Sequence, residues 1–168
     1  MNASFDLRSF VEAQAAVCRQ VVEEMLHGRK QTHWMWFIFP QIASLGFSAM
    51  AQRFAIGSRA EAAVYLEHDL LGPRLVECTR LVVAASEKTI TDILGSPDDI
   101  KFRSCMTLFD AASKQEIFAE AIVAFYPDGR DRATLALLET NQRSQRRRSG
   151  PGTPPRPRCF FTKPKRIG

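Results

Sequence analysis

The stretch Arg29–Ile42, RKQTHWMWFIFPQI, sets both tryptophans of the chain, two phenylalanines and a histidine between a basic pair and Pro40-Gln41. Whether residues 34–39, WMWFIF, form a strand or a helix decides the fold. Aromatic and β-branched residues in a row favour a strand. A strand needs a partner, however, and no other segment is a strong strand candidate. Thr32 can cap a helix that ends just before Pro40, because a residue preceding proline is pushed out of the α conformation. Apolar on every side, such a helix has to sit at the centre of a bundle. The expectation is a short buried helix that the others wrap.

Working outward, nearly every segment carries helix punctuation. Over Asp6–His27, Leu7, Phe10, Val11, Val17, Cys18, Val21 and Met25 make one apolar stripe at helical spacing. Arg8, Glu12, Arg19, Glu23 and Glu24 lie largely off that stripe, and Gly28 is a natural stop. A short helix follows Ser48. Ser58–Glu61, SRAE, reads as a capping box opening a helix to about Glu67. Gly72-Pro73 breaks and restarts the chain, and Leu71, Leu75, Cys78, Val82 and Ala85 mark the buried face that follows. Ser96–Asp99, SPDD, offers a serine cap, a first-turn proline and two acids against the helix dipole. That helix should reach about Ala112, and Gln115–Phe125 and Asp131–Glu139 complete the set. The reading is an all-α, single compact domain of about seven or eight helices over residues 1–142.

Length and composition agree with a globular chain: 168 residues fit one domain with a real core, and 45% are hydrophobic against 24% charged. The longest apolar run, Trp34–Phe39, is far too short to span a bilayer, and the first residues lack the basic and apolar regions of a secretion signal. Cys18, Cys78, Cys105 and Cys159 form no C-x-x-C pair, which favours a reduced, cytoplasmic setting. The net charge of +5 belongs to the C-terminal segment. Residues 143–168 hold nine basic and no acidic residues, whereas residues 1–142 hold 14 basic against 18 acidic, a balance of −4. With five of the nine prolines and no apolar periodicity, 143–168 is expected to be a disordered basic Pro/Arg-rich tail.

From His33 to Gln41 (HWMWFIFPQ), and again at Ser48–Ile56, Leu71–Thr79 and Gly95–Phe109, the chain resembles a bacterial family of unknown function, numbered 1810 among such domains. Over about residues 6–138 the resemblance implies a compact, wholly helical fold, somewhat like stacked helical repeats. It implies no activity, substrate or catalytic residue. The label "calpastatin" sometimes attached to the family is discounted, since an inhibitor of that name is a long disordered chain. Family chains usually stop near Leu138, so the basic tail departs from the pattern and is either a functional extension or a frame-shifted end.

Candidate chemistry gathers around His33. As a functional group it would be a general base or a ligand donor with Gln41 at the far end of the segment; otherwise it is a hydrogen-bonded structural residue. Lys101 borders the buried stripe of its helix, so it either passes its ammonium over the core edge or points it into a pocket. If the two segments meet, Lys101, Ser104, His33 and Gln41 would form a small polar pocket against aromatic walls, approached past Arg29 and Lys30 and suited to an anionic or nucleotide-like ligand. Arg103 is expected to pair with Asp99 and Asp110 on one helix face. The sequence carries no zinc-ligand spacing, phosphate-binding glycine loop or nucleophile elbow, so no metal and no cofactor is expected. The leading expectation is non-catalytic binding of a small anionic ligand or a protein partner. The alternatives are a metal-independent enzyme using His33 and Lys101, and weak nucleic-acid binding by the tail through counterion release.

Overall fold

In the computed structural model, which describes residues 5–148, the hexapeptide 34–39 is not a strand. Met35–Ile38 is one helical turn, α3, and Trp34 and Phe39 flanking it are 1% and 0% exposed. Thr32 does not cap it: Trp34 occupies the N-cap position with no side-chain bond, and the Thr32 hydroxyl is drawn away to Glu24. Trp36 alone of the six reaches the rim, half-buried.

Among the described residues nine further helices complete the fold: α1 (Arg8–Ala15), α2 (Cys18–Leu26), α4 (Ala49–Arg53), α5 (Arg59–Glu67), α6 (Leu71–Ala84), α7 (Ile90–Leu94), α8 (Asp98–Ala112), α9 (Glu116–Phe125) and α10 (Arg132–Arg148), and α3 packs on α1 and α6. The described residues are thus all-α, and the one β-type contact is an isolated bridge between Ile42 and Ile56. None of the described helices is long and apolar enough to cross a membrane.

The count of ten exceeds the expected seven or eight for two reasons. The stripe over Asp6–His27 is cut at Ala16–Val17, where the Val17 amide turns to Gln14 O at 3.1 Å. A straight helix could not serve both partners: α1 packs on α3, while α2 packs on α6. The short α7 is the second addition, opened by a full reciprocal capping box between Thr89 and Asp92. At Ser58 the box is offset instead: the serine accepts from the Glu61 amide, but Glu61 reaches the amide of Gly57. The short helix expected after Ser48 is α4, and Ser48 caps it by accepting from the Ala51 amide at 3.1 Å. α8 begins one step later than expected, with Pro97 rather than Ser96 in the N-cap position and both aspartates in the first turn. Residues 143–148, placed in the tail by the sequence, continue α10 as helix, and the rest of that segment lies outside the described residues.

α8 is the hub, packing against α5, α7, α9 and α10. Its Phe102 and Phe109 are fully buried and link two aromatic groups. Phe102 meets Phe39 edge-on at 4.9 Å, and Phe39 meets Trp34 at 6.1 Å; Phe109 lies 5.4 Å from Tyr65 and 5.8 Å from Phe118. Such offset and edge contacts add to the area term of burial. The turn between α5 and α6 is tight enough that a β-carbon on Gly72 would stand 2.0 Å from the carbonyl oxygen of Leu66, so only glycine fits.

Candidate functional site

The loop joining α2 to α3 is organised by a carboxylate. Glu24 sits one residue off the apolar stripe, yet it is 6% exposed, contrary to the expectation of a solvent-facing acid. Its Oε2 accepts from the Gln31 amide (2.8 Å), the Thr32 amide (3.2 Å) and the Trp34 indole N–H (2.8 Å), and its Oε1 from the Thr32 hydroxyl (2.6 Å). Burial alone would raise this carboxyl; the four donors outweigh it and hold the group below the ordinary glutamate range.

With the loop so held, the Lys30 amide donates to Ile93 O of α7 at 2.7 Å, and the lysine side chain runs over the Trp34 ring with its ammonium 5.3 Å from the centroid. There it meets Asp98 Oδ2 at 2.8 Å. The other oxygen of Asp98 takes Lys101, also at 2.8 Å, and the Lys101 ammonium lies 4.7 Å over the Trp36 ring. The His33-bearing loop and α8 therefore do meet, through two lysines, one shared carboxylate and two indole faces. Burial pushes the Asp98 carboxyl up, but the two ammonium groups prevail and hold it below the ordinary aspartate value.

Of the four residues singled out from the sequence, Lys101 alone stands in this cluster. His33 precedes α3, is exposed and hydrogen-bonds to no described residue. Gln41 is half-buried, and its carbonyl accepts from the Ile56 amide at 2.9 Å in the bridge that ties two loops together. Ser104 is buried and faces α10: its hydroxyl lies 3.3 Å from both Ile100 O and Asp131 Oδ2. Arg103 also departs from expectation. It donates to Gly129 O at 2.8 Å and stacks over Tyr126, while Arg130 takes Asp110 and the Thr91 hydroxyl takes Asp99.

Lys30 also borders an open cleft of about 590 Å³ formed by Gly28, Arg29, Lys88, Thr91, Asp92 and Gly95. Lys88 reaches across it to the carbonyls of His27 and Gly28, each at 3.3 Å. Asp92, its one acid, is engaged by the Thr89 hydroxyl at 2.7 Å. Arg29 is exposed and in no ion pair among the described residues, which leaves it the cleft's uncommitted cation. A larger cleft of about 690 Å³ lies between the start of α1 and α5, lined by Leu7, Val11, Val64 and His68, but its charges are the mutually paired Asp6 and Arg8 with Glu12. Charge that could hold an anion lies on Arg29 and Lys88 of the Lys30 cleft, not there.

Neither Glu24 nor Asp98 was singled out for this site from the sequence. The i, i+3 spacing of Asp98 and Lys101 is visible in the chain and is a recognised helix pairing. The recruitment of Lys30 and Glu24 has no such local mark, since each depends on contacts made by the folded loop.

No curated protein matches the chain. Its fold is similar to the crystal structure of the conserved hypothetical protein Rv1873 from Mycobacterium tuberculosis, with a TM-score of 0.79 and 52% identity over 80% of this chain and 97% of that one. A family model described as "Protein of unknown function (DUF1810)" matches residues 4–138, and the chain accordingly belongs to the DUF1810 family.

Proposed function

We propose that this protein is a non-catalytic binding domain for a small anionic ligand, seated in the cleft between the α2–α3 loop and α7. The observation that carries the reading is the local imbalance of charge. Arg29, Lys30, Lys88 and Lys101 surround the cleft and the adjoining ion cluster, against the three carboxylates of Asp92, Asp98 and Asp99, and Asp98 is already shared by Lys30 and Lys101. The cleft's volume falls within the range of small-molecule sites, and its rim is rigid because Glu24 and Ile93 anchor the loop by short hydrogen bonds. Arg29 would supply the charged fork to a phosphate or carboxylate, with Lys88 as the second cation. His33 is not among the residues lining this cleft, so the reading gives it no contact with the ligand. Catalysis through His33 and Lys101 draws less support, because the Lys101 ammonium is already committed to Asp98 and the Trp36 face. The free thiols of Cys18, Cys78 and Cys105 accord with a reducing compartment, and we place the protein in the cytoplasm.

Thermal shift against inorganic phosphate, nucleotides, sugar phosphates and acidic metabolites tests the reading. A ligand at a hundred times its Kd adds about 2.7 kcal/mol to the native state, a rise of several degrees in Tm. That rise should vanish in Arg29→Ala with Lys88→Ala, and it should survive His33→Ala. A panel with no stabilising member, or a shift that survives loss of both cations, would overturn it.

A further inference from the structure

The distal half of α10 presents a second charged surface, remote in sequence from the Lys30 cleft. Thr134 and Leu138 are buried and Asn141 is half-buried, and the asparagine side chain donates to Gly57 O at 3.1 Å. These positions recur at i, i+4 and i+7, so they define the face by which α10 packs on the domain. Arg143, Arg146 and Arg147 are exposed and share the opposite face, within about 100° of arc at the usual helical rotation. None of the three is in an ion pair among the described residues, although Glu139 stands four residues before Arg143.

We propose that this arginine face is a docking surface for the phosphate backbone of a nucleic-acid duplex, bound without regard to base sequence. Charge complementarity identifies the class: three uncommitted guanidinium groups on a fixed helix face match a polyanion with closely spaced phosphates. A membrane surface fits worse. Residues 139–147, ETNQRSQRR, contain no apolar side chain, whereas a helix that lies in a lipid interface needs an apolar face to bury. A single strand fits worse as well, because this face carries no aromatic ring on which bases could stack. Phosphate oxygens present the same acceptors whatever the base sequence, so a contact made through these guanidinium groups is one of position and charge.

Fluorescence anisotropy of the full-length chain with a short labelled DNA duplex of arbitrary sequence, titrated over a range of salt, tests this. The wild type should bind with an affinity that falls steeply with salt. In R143A/R146A/R147A the affinity should drop at least about tenfold, and the slope of log K against log salt should flatten by about 2.7, the loss of three phosphate contacts. These positions are exposed, so an unchanged Tm will show that the fold survives. A second full-length variant, with R156Q, R158Q, K163Q, K165Q and R166Q, removes the five basic residues that follow α10 in the sequence. It should retain the slope component due to the helix. If the triple variant keeps wild-type affinity and slope, or only the quintuple variant loses binding, the helix face is not the contact. Binding to phosphatidylserine vesicles without binding to the duplex overturns the proposal in favour of a lipid surface. The cleft variant Arg29→Ala/Lys88→Ala should leave duplex binding intact, which separates this proposal from the anion site.

Discussion

The indole N–H of Trp34 donates to Glu24 Oε2 at 2.8 Å, so the largest side chain of the core is tied to a buried charge on the neighbouring helix. Glu24→Ala would leave that indole, the Thr32 hydroxyl and two amides without their acceptor. Orphaning several part-buried donors at once should cost roughly 3 kcal/mol, read as a lower midpoint in urea unfolding. Glu24→Gln keeps the size but loses the charge and half the acceptor capacity, so its cost should be intermediate. The folded carboxyl titrates below its unfolded value. Its contribution is therefore complete above the unfolded pKa of about 4.3 and is lost as the pH falls through the lower folded value. Wild-type stability should decline in that acidic window, and Glu24→Gln should decline less. Parallel acid profiles for the two proteins would refute the assignment.

Gly72 supplies a test of packing without charge. Its β-carbon in Gly72→Ala would lie 2.0 Å from a backbone oxygen, which has no rotamer by which to move aside. The α5–α6 turn has to open instead, at a cost of about 1–3 kcal/mol. The substitution should lower Tm even though alanine is the better helix former. A neutral or stabilising effect would show that the turn relaxes freely.

How far the sequence could be read depended on whether the signal was local. Pro40 after WMWFIF and the lack of a strand partner were enough to read a short helix, and its apolar faces were enough to read it as buried, because these facts lie in the chain itself; that α8 rather than α3 is the hub was not legible there. The start of α4 after Ser48 was legible for the same reason, since the start signal is local. The break at Ala16–Val17 was not, because no glycine or proline marks it and it answers to two different packing partners. Arg103 misled for a related reason. Its spacing to Asp99 and Asp110 is right for a helix pair, but Arg130 and Thr91, brought in by the fold, reach those carboxylates instead. At the candidate site Lys101 was legible as a lysine on the border of a buried stripe. Its partner Asp98 was within reach on paper, three residues before it, while Lys30 and Trp36 enter from a segment more than sixty positions earlier in the chain.

Gln14 shows what a buried amide does in this core. Its Nε2 donates to Phe37 O at 2.7 Å and to the Tyr65 hydroxyl at 3.0 Å, joining α1 to α3 and α5. Gln14→Leu should cost about 2 kcal/mol, since it leaves the carbonyl and the hydroxyl buried and unpaired. Tyr65→Phe should cost less, about 1 kcal/mol, because Gln14 retains Phe37. In the double variant the two losses should fall short of additive. Strict additivity in denaturant unfolding would mean that the pair is not coupled.

Asp98 is the acceptor that two lysines share, so its removal should do more than delete two ion pairs. In Asp98→Ala the ammonium groups of Lys30 and Lys101 keep their places over Trp34 and Trp36 but lose the charge between them. A fully buried pair broken on one side costs several kcal/mol; here, with Lys101 22% exposed, water screens part of it and roughly 2 kcal/mol is expected. The wild-type contribution is present above the unfolded aspartate pKa of about 3.9 and disappears as the pH falls through the lower folded value, so below that range the two proteins should converge in stability. Adding Lys101→Met to Asp98→Ala should recover part of the loss by removing one of the like charges. Inorganic phosphate offers the converse test, because an anion can enter where the carboxylate was. It should raise the Tm of Asp98→Ala more than that of the wild type, and the excess should disappear in the double variant. Equal phosphate shifts in all three proteins would show that the two ammonium groups do not converge on one anion-sized space.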